Sequence, residues 1–508
     1  MNAQTSEETL ALLKAAQGTP NSELTKAWTQ GSTATSGIVA YDLEAPSKKL
    51  YPVITPLRNE IPRVSGKGGI QANWRAVTGV NTTKIRPGVS DGNRGGQIVT
   101  TTQDYTAVYK EFGLEDYVTF AADLDSVGFE DKKALAVEGL LRSMMIADEQ
   151  MILGGNNTFA MGNTPTPSGT SANTGGTLQG NASYGIGCVA LGFDGYMLAS
   201  MTTGVIQSQV RTNADSSTDT INGGIARPST QANVTTANSA NVSTMAVSVT
   251  AVPGAVGYAW FWGAAAANLT LGAITTINSV SITANAAGTG SGYGTANFAA
   301  LTATDNSKVS LDFDGLLTIG SQSALGSYQG VLATGTAGVG STLTATGDGG
   351  VVEIETALKS FWDNYRLAPD TLWVNSQQMK DISSKVATTT SSAPNAQRIV
   401  FQAEPGKVMG GAVVVKEYLN KYAMDGSTVL KIRLHPNMPP GTMMFTTNRL
   451  PYPLSDVTNV MQMRMRREYY QIEWPITKRR YEYGVYEDGV LQHYFPPSMG
   501  VVTNIAAG

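Results

Sequence analysis

From Pro228 to Thr304 the chain carries no Asp, Glu, Lys or Arg, yet Trp260, Phe261 and Trp262 stand in a row in the middle of that span. A segment without charge cannot use ion pairs against its neighbours. Its water-facing surface has to be Ser, Thr, Asn and Gly. The apolar residues fall in short alternations. Met245, Val247, Val249 and Ala251 alternate with Ala246, Ser248 and Thr250. Pro253-Gly254 marks a turn. Tyr258, Trp260 and Trp262 then alternate with Ala259 and Phe261, and Val280 and Ile282 mark a further short strand. Short strands at ~10-residue spacing with turn signals between them predict a β-sandwich. The aromatic strand would fill the space between the sheets, where each ring buries ~150–250 Å². The segment reads as a neutral knob on a larger body.

The rest of the composition agrees with a β-rich molecule. Charged residues make up 15% of the 508 residues, against ~25% in ordinary globular domains. With 55 glycines and abundant Thr, Ser, Asn and Ala, the chain suits sheet and long loops better than helix bundles. The formal net charge of −4 is not the strongly basic balance of a diffuse nucleic-acid footprint. Cys188, the one cysteine, excludes an internal disulfide framework and a cysteine-based zinc cluster. No 18-residue apolar run is present, so no spanning helix is expected and no membrane partner is assigned. The start, MNAQTSEETLALLKAAQ, does not read as a secretion signal, and a protein assembled in the cytoplasm is expected. The two histidines, His435 and His493, are far apart beside prolines and read as structural. Most general acid–base chemistry leans on His, so an enzyme is not expected.

Along the chain, residues 6–17 suggest a short helix with Leu10, Leu12 and Leu13 on one face. An extended stretch with Pro46, Pro52, Pro56 and Pro62 follows, read as an arm lying along something else. Residues 65–108 read as a protruding hairpin. Ile70, Ala72, Trp74 and Ala76 alternate on one strand, RPGVSDGNRGG forms the tip, and GQIVTTTQDYTAVYKEF returns. The strongest helix is FEDKKALAVEGLLRSMMIADEQMILGG, with a stripe of Ala134, Val137, Leu140, Leu141, Met144, Met145 and Met151. Acidic residues at its start suit the helix dipole, and Gly154 and Gly155 stop it. Further on, VVEIETALKSFWDNYRL places Ile354, Leu358, Phe361 and Trp362 on one face. TLWVNSQQMKDI predicts a strand and then a helix capped by Asn375 or Ser376. KIRLHPNMPPGTMMFTTN predicts strand, Pro turn and strand, and the C-terminal strand series is expected to turn at Glu487-Asp488-Gly489.

Two resemblances organise these pieces. VTAVPGAVGYAWFWG resembles the second and third strands of fibronectin type III and other immunoglobulin-like modules. The ordered set of YDLEAPSKKLYPVITPLRNEIPRV, FEDKKALAVEGLLRSMMIADEQMILGGN, DNYRLAPDTLWVNSQQMKDI, LHPNMPPGTMMFTTNRLPYP and KRRYEYGVYEDGVLQHYFPPSMGVV resembles the major capsid protein of tailed bacteriophages, over about two-thirds of the chain. The resemblance implies an α+β fold with an N-terminal arm over 1–64 and an extended-loop hairpin over 65–110. A peripheral domain with its spine helix would follow over 111–160, and a β-rich insertion over 161–345 with an immunoglobulin-like module at about 230–310. An axial domain over 346–450 and returning peripheral strands over 451–508 would complete it. It implies a non-enzymatic structural subunit that self-assembles into hexamers and pentamers of an icosahedral shell. Portal and decoration or scaffold proteins would be its partners. The shell would enclose double-stranded DNA without sequence-specific binding, in a virion capsid assembled in the host cytoplasm. The inserted module would lend weak host-surface or glycan adhesion. The alternative is a cell-surface or fibre-type binding protein built on β-sandwich domains.

No catalytic, cofactor-binding or metal-ligating residue is assigned, and no cofactor is expected. Three basic clusters stand out: Arg464, Arg466 and Arg467; Lys478, Arg479 and Arg480; and Lys84, Arg86 and Arg94. Ion pairing with Glu111, Glu115, Asp116, Glu468 or Glu473 across subunit seams is expected over contact with DNA, because acids are interleaved with the C-terminal bases. Some relatives crosslink through a loop lysine, and Lys67 and Lys84 occupy the equivalent loop here. Asp312 and Asp314 read as a turn rather than a cation site, and the glycine-rich stretch Gly288 to Gly294 as a flexible turn rather than a phosphate loop.

Overall fold

The computed structural model describes residues 48–237, 241–264, 268–347, 349–387, 415–423, 428–452 and 455–507. The helix expected at 6–17 and most of the expected arm lie outside them. The chain divides into two units. One comprises Met1–Ile54, Gly113–Ile146 and Gln471–Val485, and the other Thr55–Phe112, Ala147–Tyr470 and Tyr486–Gly508. Strands outnumber helices among the described residues, and the chain is a mixed α and β molecule.

In the smaller unit, the short helix Phe120–Asp125 starts on Thr119, whose hydroxyl accepts from the Ala122 amide. The long helix Lys132–Gly154 starts on Asp131, whose Oδ1 accepts from the Lys133 and Ala134 amides. Leu140 and Met144 of its expected stripe are buried, whereas Ala134 and Leu141 are exposed. Phe120 packs on Tyr481, ring centroids 4.8 Å apart, with the Lys133 ammonium 3.9 Å from the same ring. The C-terminal strands differ from expectation. Arg480–His493 is one unbroken strand, and the turn lies before it, where Trp474-Pro475 ends the strand Met461–Glu473. Glu487 and Asp488 sit in mid-strand because each carboxylate meets an arginine, Arg63 and Arg466 respectively. Those pairings replace the water that a turn would have supplied.

The larger unit holds most of the sheet. Its six-stranded sheet runs in the order Tyr328–Val331, Gly500–Thr503, Met443–Thr446, Thr371–Val374, Thr428–Leu434 and Glu417–Asn420. The two strands expected to be joined by a Pro turn are therefore not paired. They flank Thr371–Val374, one parallel and one antiparallel. Ile354, Leu358 and Phe361 of the helix Val352–Tyr365 pack on this sheet with Leu372, Val374 and Phe445, while Trp362 is only half-buried. Asn375 caps the next helix, Ser376–Ala387, its Oδ1 accepting from the Gln377 amide at 2.9 Å.

The charge-free segment contributes to two facing sheets. One has the order Ala232–Thr235, Ser183–Leu191, Gly257–Gly263, Thr270–Thr275, and the other Ser279–Ile282, Thr244–Ser248, Ser168–Ala172. Two of these strands thus come from before residue 230. The aromatic strand is buried on both faces. Tyr258, Trp260 and Trp262 face the core between the sheets, and Ala259 and Phe261 face a second core with Val189, Leu191 and Leu271. Trp260 Nε1 donates to Thr275 Oγ1 and Trp262 Nε1 to the Ala284 carbonyl, which satisfies the indoles in a dry interior.

Candidate functional site

Residues 56–63, the end of the stretch expected to form the arm, are held by a buried ionic centre. The helix Pro56–Glu60 lacks a side-chain cap of its own. Its first amides are taken up from elsewhere. Glu149, on the long helix, accepts from the Leu57 amide at 2.9 Å and the Arg58 amide at 2.7 Å. Its Oε1 also lies 2.6 Å from His435 Nε2. The adjacent Asp148 pairs with Arg63 and lies 3.3 Å from Arg58 Nε. Arg63 also pairs with Glu487, so a single guanidinium joins the long helix to the strand Arg480–His493. Tyr469 closes the group. Its hydroxyl accepts from Arg58 Nε and donates to Asp148 Oδ2, with both guanidiniums over its ring. Asp148, Glu149 and Glu487 are closed to solvent.

Two carboxylates, Asp148 and Glu487, share the guanidiniums of Arg58 and Arg63 in a place closed to solvent, where burial disfavours their charge. Burial, reinforced by the Asp148 charge, pushes Glu487 up to about 7. Burial likewise raises Asp148 against the pull of Arg63. Burial works against the Arg63 charge too, but Asp148 and Glu487 outweigh it and keep the guanidinium protonated. Nothing in this arrangement presents a nucleophile or an open cleft. What it does is clamp residues 56–63 at a defined position and so fix the root of the hairpin that follows.

The hairpin is built from Gln71–Val80 and Thr100–Val108. Ala72 and Tyr109 are buried at its root. Trp74 stacks on the directly opposite Tyr105 at 5.8 Å and meets Tyr494 edge-on. Beyond that, Arg75 makes a two-pronged pair with Asp104 across the strands at 2.6 and 2.8 Å, an exposed pair of small stabilising value. Every residue from 86 to 104 is exposed. Val77, Val80, Val89, Ile98 and Val99 each keep half or more of their surface in solvent.

The residues singled out from sequence fall as follows. Arg466 pairs with Glu111 and Asp488 of the same chain, Arg480 with Glu482, and Arg467 lies over the Tyr470 ring. Lys67, Lys84, Arg86, Arg94, Lys478 and Arg479 are exposed. Asp314 accepts from the Asn157 and Thr158 amides and the Thr158 hydroxyl, a turn-anchoring role. Asp312 is pushed up to about 8 by burial and then by the charge of Asp194, itself raised to about 6 by burial. Among the described residues no group of three or more His, Cys, Asp or Glu is placed to hold a metal ion. Cys188 is buried, which raises its thiol. Burial pushes His493 down to about 3. The stretch Gly288–Gly294 is not a loose turn. The Gly288, Thr289 and Ser291 amides donate to the Leu271, Met201 and Thr203 carbonyls. The ionic centre itself escaped sequence reading. The signal present was a pair of adjacent acids, Asp148 and Glu149, inside an otherwise apolar helix stretch.

No family model matches the chain, and no curated protein matches it in sequence. Solved structures similar to it include the capsid of Myoviridae phage XM1, at 9% identity and TM-score 0.37, over 91% of this chain and 95% of that one. The capsid of cyanophage P-SCSP1u is similar at 8% identity and TM-score 0.39, over 94% and 98%. The capsid of the native GTA particle is similar at 9% identity and TM-score 0.39, over 92% and 96%.

Proposed function

We propose that this chain is a structural, non-enzymatic subunit of a tailed-phage capsid. In this reading it assembles into the hexamers and pentamers of an icosahedral shell around double-stranded DNA, with portal and decoration or scaffold proteins as partners. The observation that carries the reading is the hairpin. A two-stranded ribbon alone is marginal in water, and ordering its backbone costs ~1–2 kcal/mol per residue. Here the outer half of the ribbon has no cover among the described residues, and Val77, Val80, Ile98 and Val99 are exposed. Burial on an identical neighbour offsets that cost, and the clamp at Arg63 sets the angle from which the ribbon reaches. The role is carried out in the virion, after assembly in the host cytoplasm, and DNA is contained without sequence-specific contacts.

The two-sheet module takes the part of an immunoglobulin-like domain facing outward and giving weak adhesion. What supports this is the sheet order. Ser168–Ala172, Thr244–Ser248 and Ser279–Ile282 stand as A, B and E of such a sandwich. Thr270–Thr275, Gly257–Gly263, Ser183–Leu191 and Ala232–Thr235 stand in the order C′, C, F and G. The F and G places are filled by strands that come earlier in the chain. Negative-stain microscopy of the purified chain tests the main reading. Closed shells are expected from the full chain and none from a variant lacking residues 65–108. Closed shells without the hairpin overturn it.

A further inference from the structure

The ionic centre around Arg63 leaves two acceptors without a donor. One terminal nitrogen of the Arg63 guanidinium pairs with Glu487 Oε1 and the other with Asp148 Oδ2. Asp148 Oδ2 also takes the Tyr469 hydroxyl at 3.1 Å and lies 3.3 Å from Arg58 Nε. These donors all fall on one oxygen of each carboxyl. The other two oxygens, Asp148 Oδ1 and Glu487 Oε2, are closed to solvent and meet no donor among the described residues. A carboxylate oxygen in such a place carries charge with neither water nor a hydrogen bond to spread it. Both carboxyls sit on neighbouring nitrogens of one planar fork, which holds them side by side.

The charged groups around the pair are committed elsewhere. Glu149, next to Asp148, accepts from the Leu57 and Arg58 amides and contacts His435. On the neighbouring strands, Arg467 lies over the Tyr470 ring, and Arg466 pairs with Asp488 and with Glu111. A proton on either of the two bare oxygens makes an O–H that can donate to the other, so a single proton serves both. We propose that Asp148 and Glu487 hold one proton between them, and that this proton is part of the clamp on the root of the hairpin. Burial and the neighbouring like charge both favour it, in line with the upward displacement of Glu487 and Asp148. Loss of the proton sets two buried like charges on one guanidinium, and the hold on residues 56–63 weakens.

Infrared spectroscopy of the full chain, isotope-labelled in its glutamate carboxyl carbons, tests this, since the buried aspartates do not enter the labelled bands. A labelled protonated-carboxyl band is expected in the folded chain at about pH 6, fading by about pH 8 and missing from Glu487→Gln. That variant keeps a carbonyl oxygen for Arg63 and supplies an amide N–H in place of the shared proton. Relative to it, the parent is expected to lose about tenfold in its folded-to-unfolded ratio between about pH 6 and pH 8, as follows from a Glu487 value of about 7. Urea unfolding at the two pH values reads this. Protection of the Met463 amide, which donates to the Pro62 carbonyl at 2.9 Å, is expected to fall with it in the parent only. Glu487→Gln combined with Asp148→Asn sets two amide N–H groups against each other and is expected to be less stable than the single effects sum to. No labelled band at about pH 6, a parent-to-variant ratio that stays level or rises with pH, level Met463 protection in the parent, or additive effects in the double variant overturns the proposal. All of these are read on the unassembled chain, so their failure leaves the capsid reading untouched.

Discussion

His435 Nε2 stands 2.6 Å from Glu149 Oε1, with both side chains closed to solvent. The Asn437 amide donates to His435 Nδ1 at 3.1 Å, so Nδ1 carries no proton and Nε2–H donates to the carboxylate. Replacing His435 by Ala leaves Glu149 with its two amide donors only, and is expected to cost about 1–3 kcal/mol. Glu149→Ala is expected to cost more, because the Leu57 and Arg58 amides lose their acceptor together with the imidazole. Urea unfolding of the two variants measures both costs. Glu149→Ala at parental stability would show that the helix Pro56–Glu60 does not depend on this cap.

Stability is expected to rise when the pH is lowered from about 8 toward 6.5. Glu487 at about 7, Asp312 at about 8 and Asp194 at about 6 all stand above their ordinary carboxylate values, chiefly through burial. The folded chain therefore binds more protons than the unfolded chain in this window, and unfolding free energy falls as pH rises. His493, held down to about 3 from 6.5, has the opposite sign; its effect sets in below about pH 7.5 and grows as the pH falls, so it offsets part of the gain at the lower end of the window. Thermal melting across the window checks this, and Glu487→Gln is expected to flatten the slope. A melting temperature that climbs steadily from pH 6.5 to 8 would mean that these carboxyls are ionised in the folded chain and that the slope has the reverse sign.

Trp260 and Phe261 are expected to be equally intolerant of truncation. A sandwich strand with one wet face would lose several kcal/mol at one residue and little at the next. Here Trp260 and Phe261 are both 0% exposed and belong to different cores. Each change to Ala is expected to cost roughly 3–5 kcal/mol, read by denaturant unfolding. A mild effect at Phe261 with a severe one at Trp260 would mean that the second core is loosely packed.

What sequence made legible follows from range. The alternation from Tyr258 to Trp262 and the cap at Asn375 are settled by neighbours within a few residues, and both stand in the structure. The second buried face of the aromatic strand was not legible, because the Ser183–Leu191 strand and the Ala296 region that build it are non-local. The ionic centre was the least legible. Arg63 lies 424 positions from Glu487 and 85 from Asp148. Without those partners, a Glu-Asp-Gly triplet carries the ordinary signature of a turn. The exposed hairpin was legible for the opposite reason, since its local turn formers and β-branched strands have little else to answer to.

The hairpin also yields the sharpest separation of folding from assembly. Val77 and Ile98 are 62% and 55% exposed, so charge at either position meets water in the isolated chain and costs little, within about 0.5 kcal/mol as for ordinary surface changes. On a neighbouring copy the same charge would have to be desolvated without a partner, which costs a few kcal/mol. Val77→Glu and Ile98→Glu are therefore expected to leave the circular dichroism and melting of the unassembled chain unchanged. They are expected to abolish shells or raise the concentration needed to form them by about tenfold or more. Sedimentation and microscopy of parent and variants read the two effects separately. Parental assembly in the double variant would mean that these valine and isoleucine side chains stay in solvent in the particle, and the hairpin would lose its role as the contact that completes the subunit.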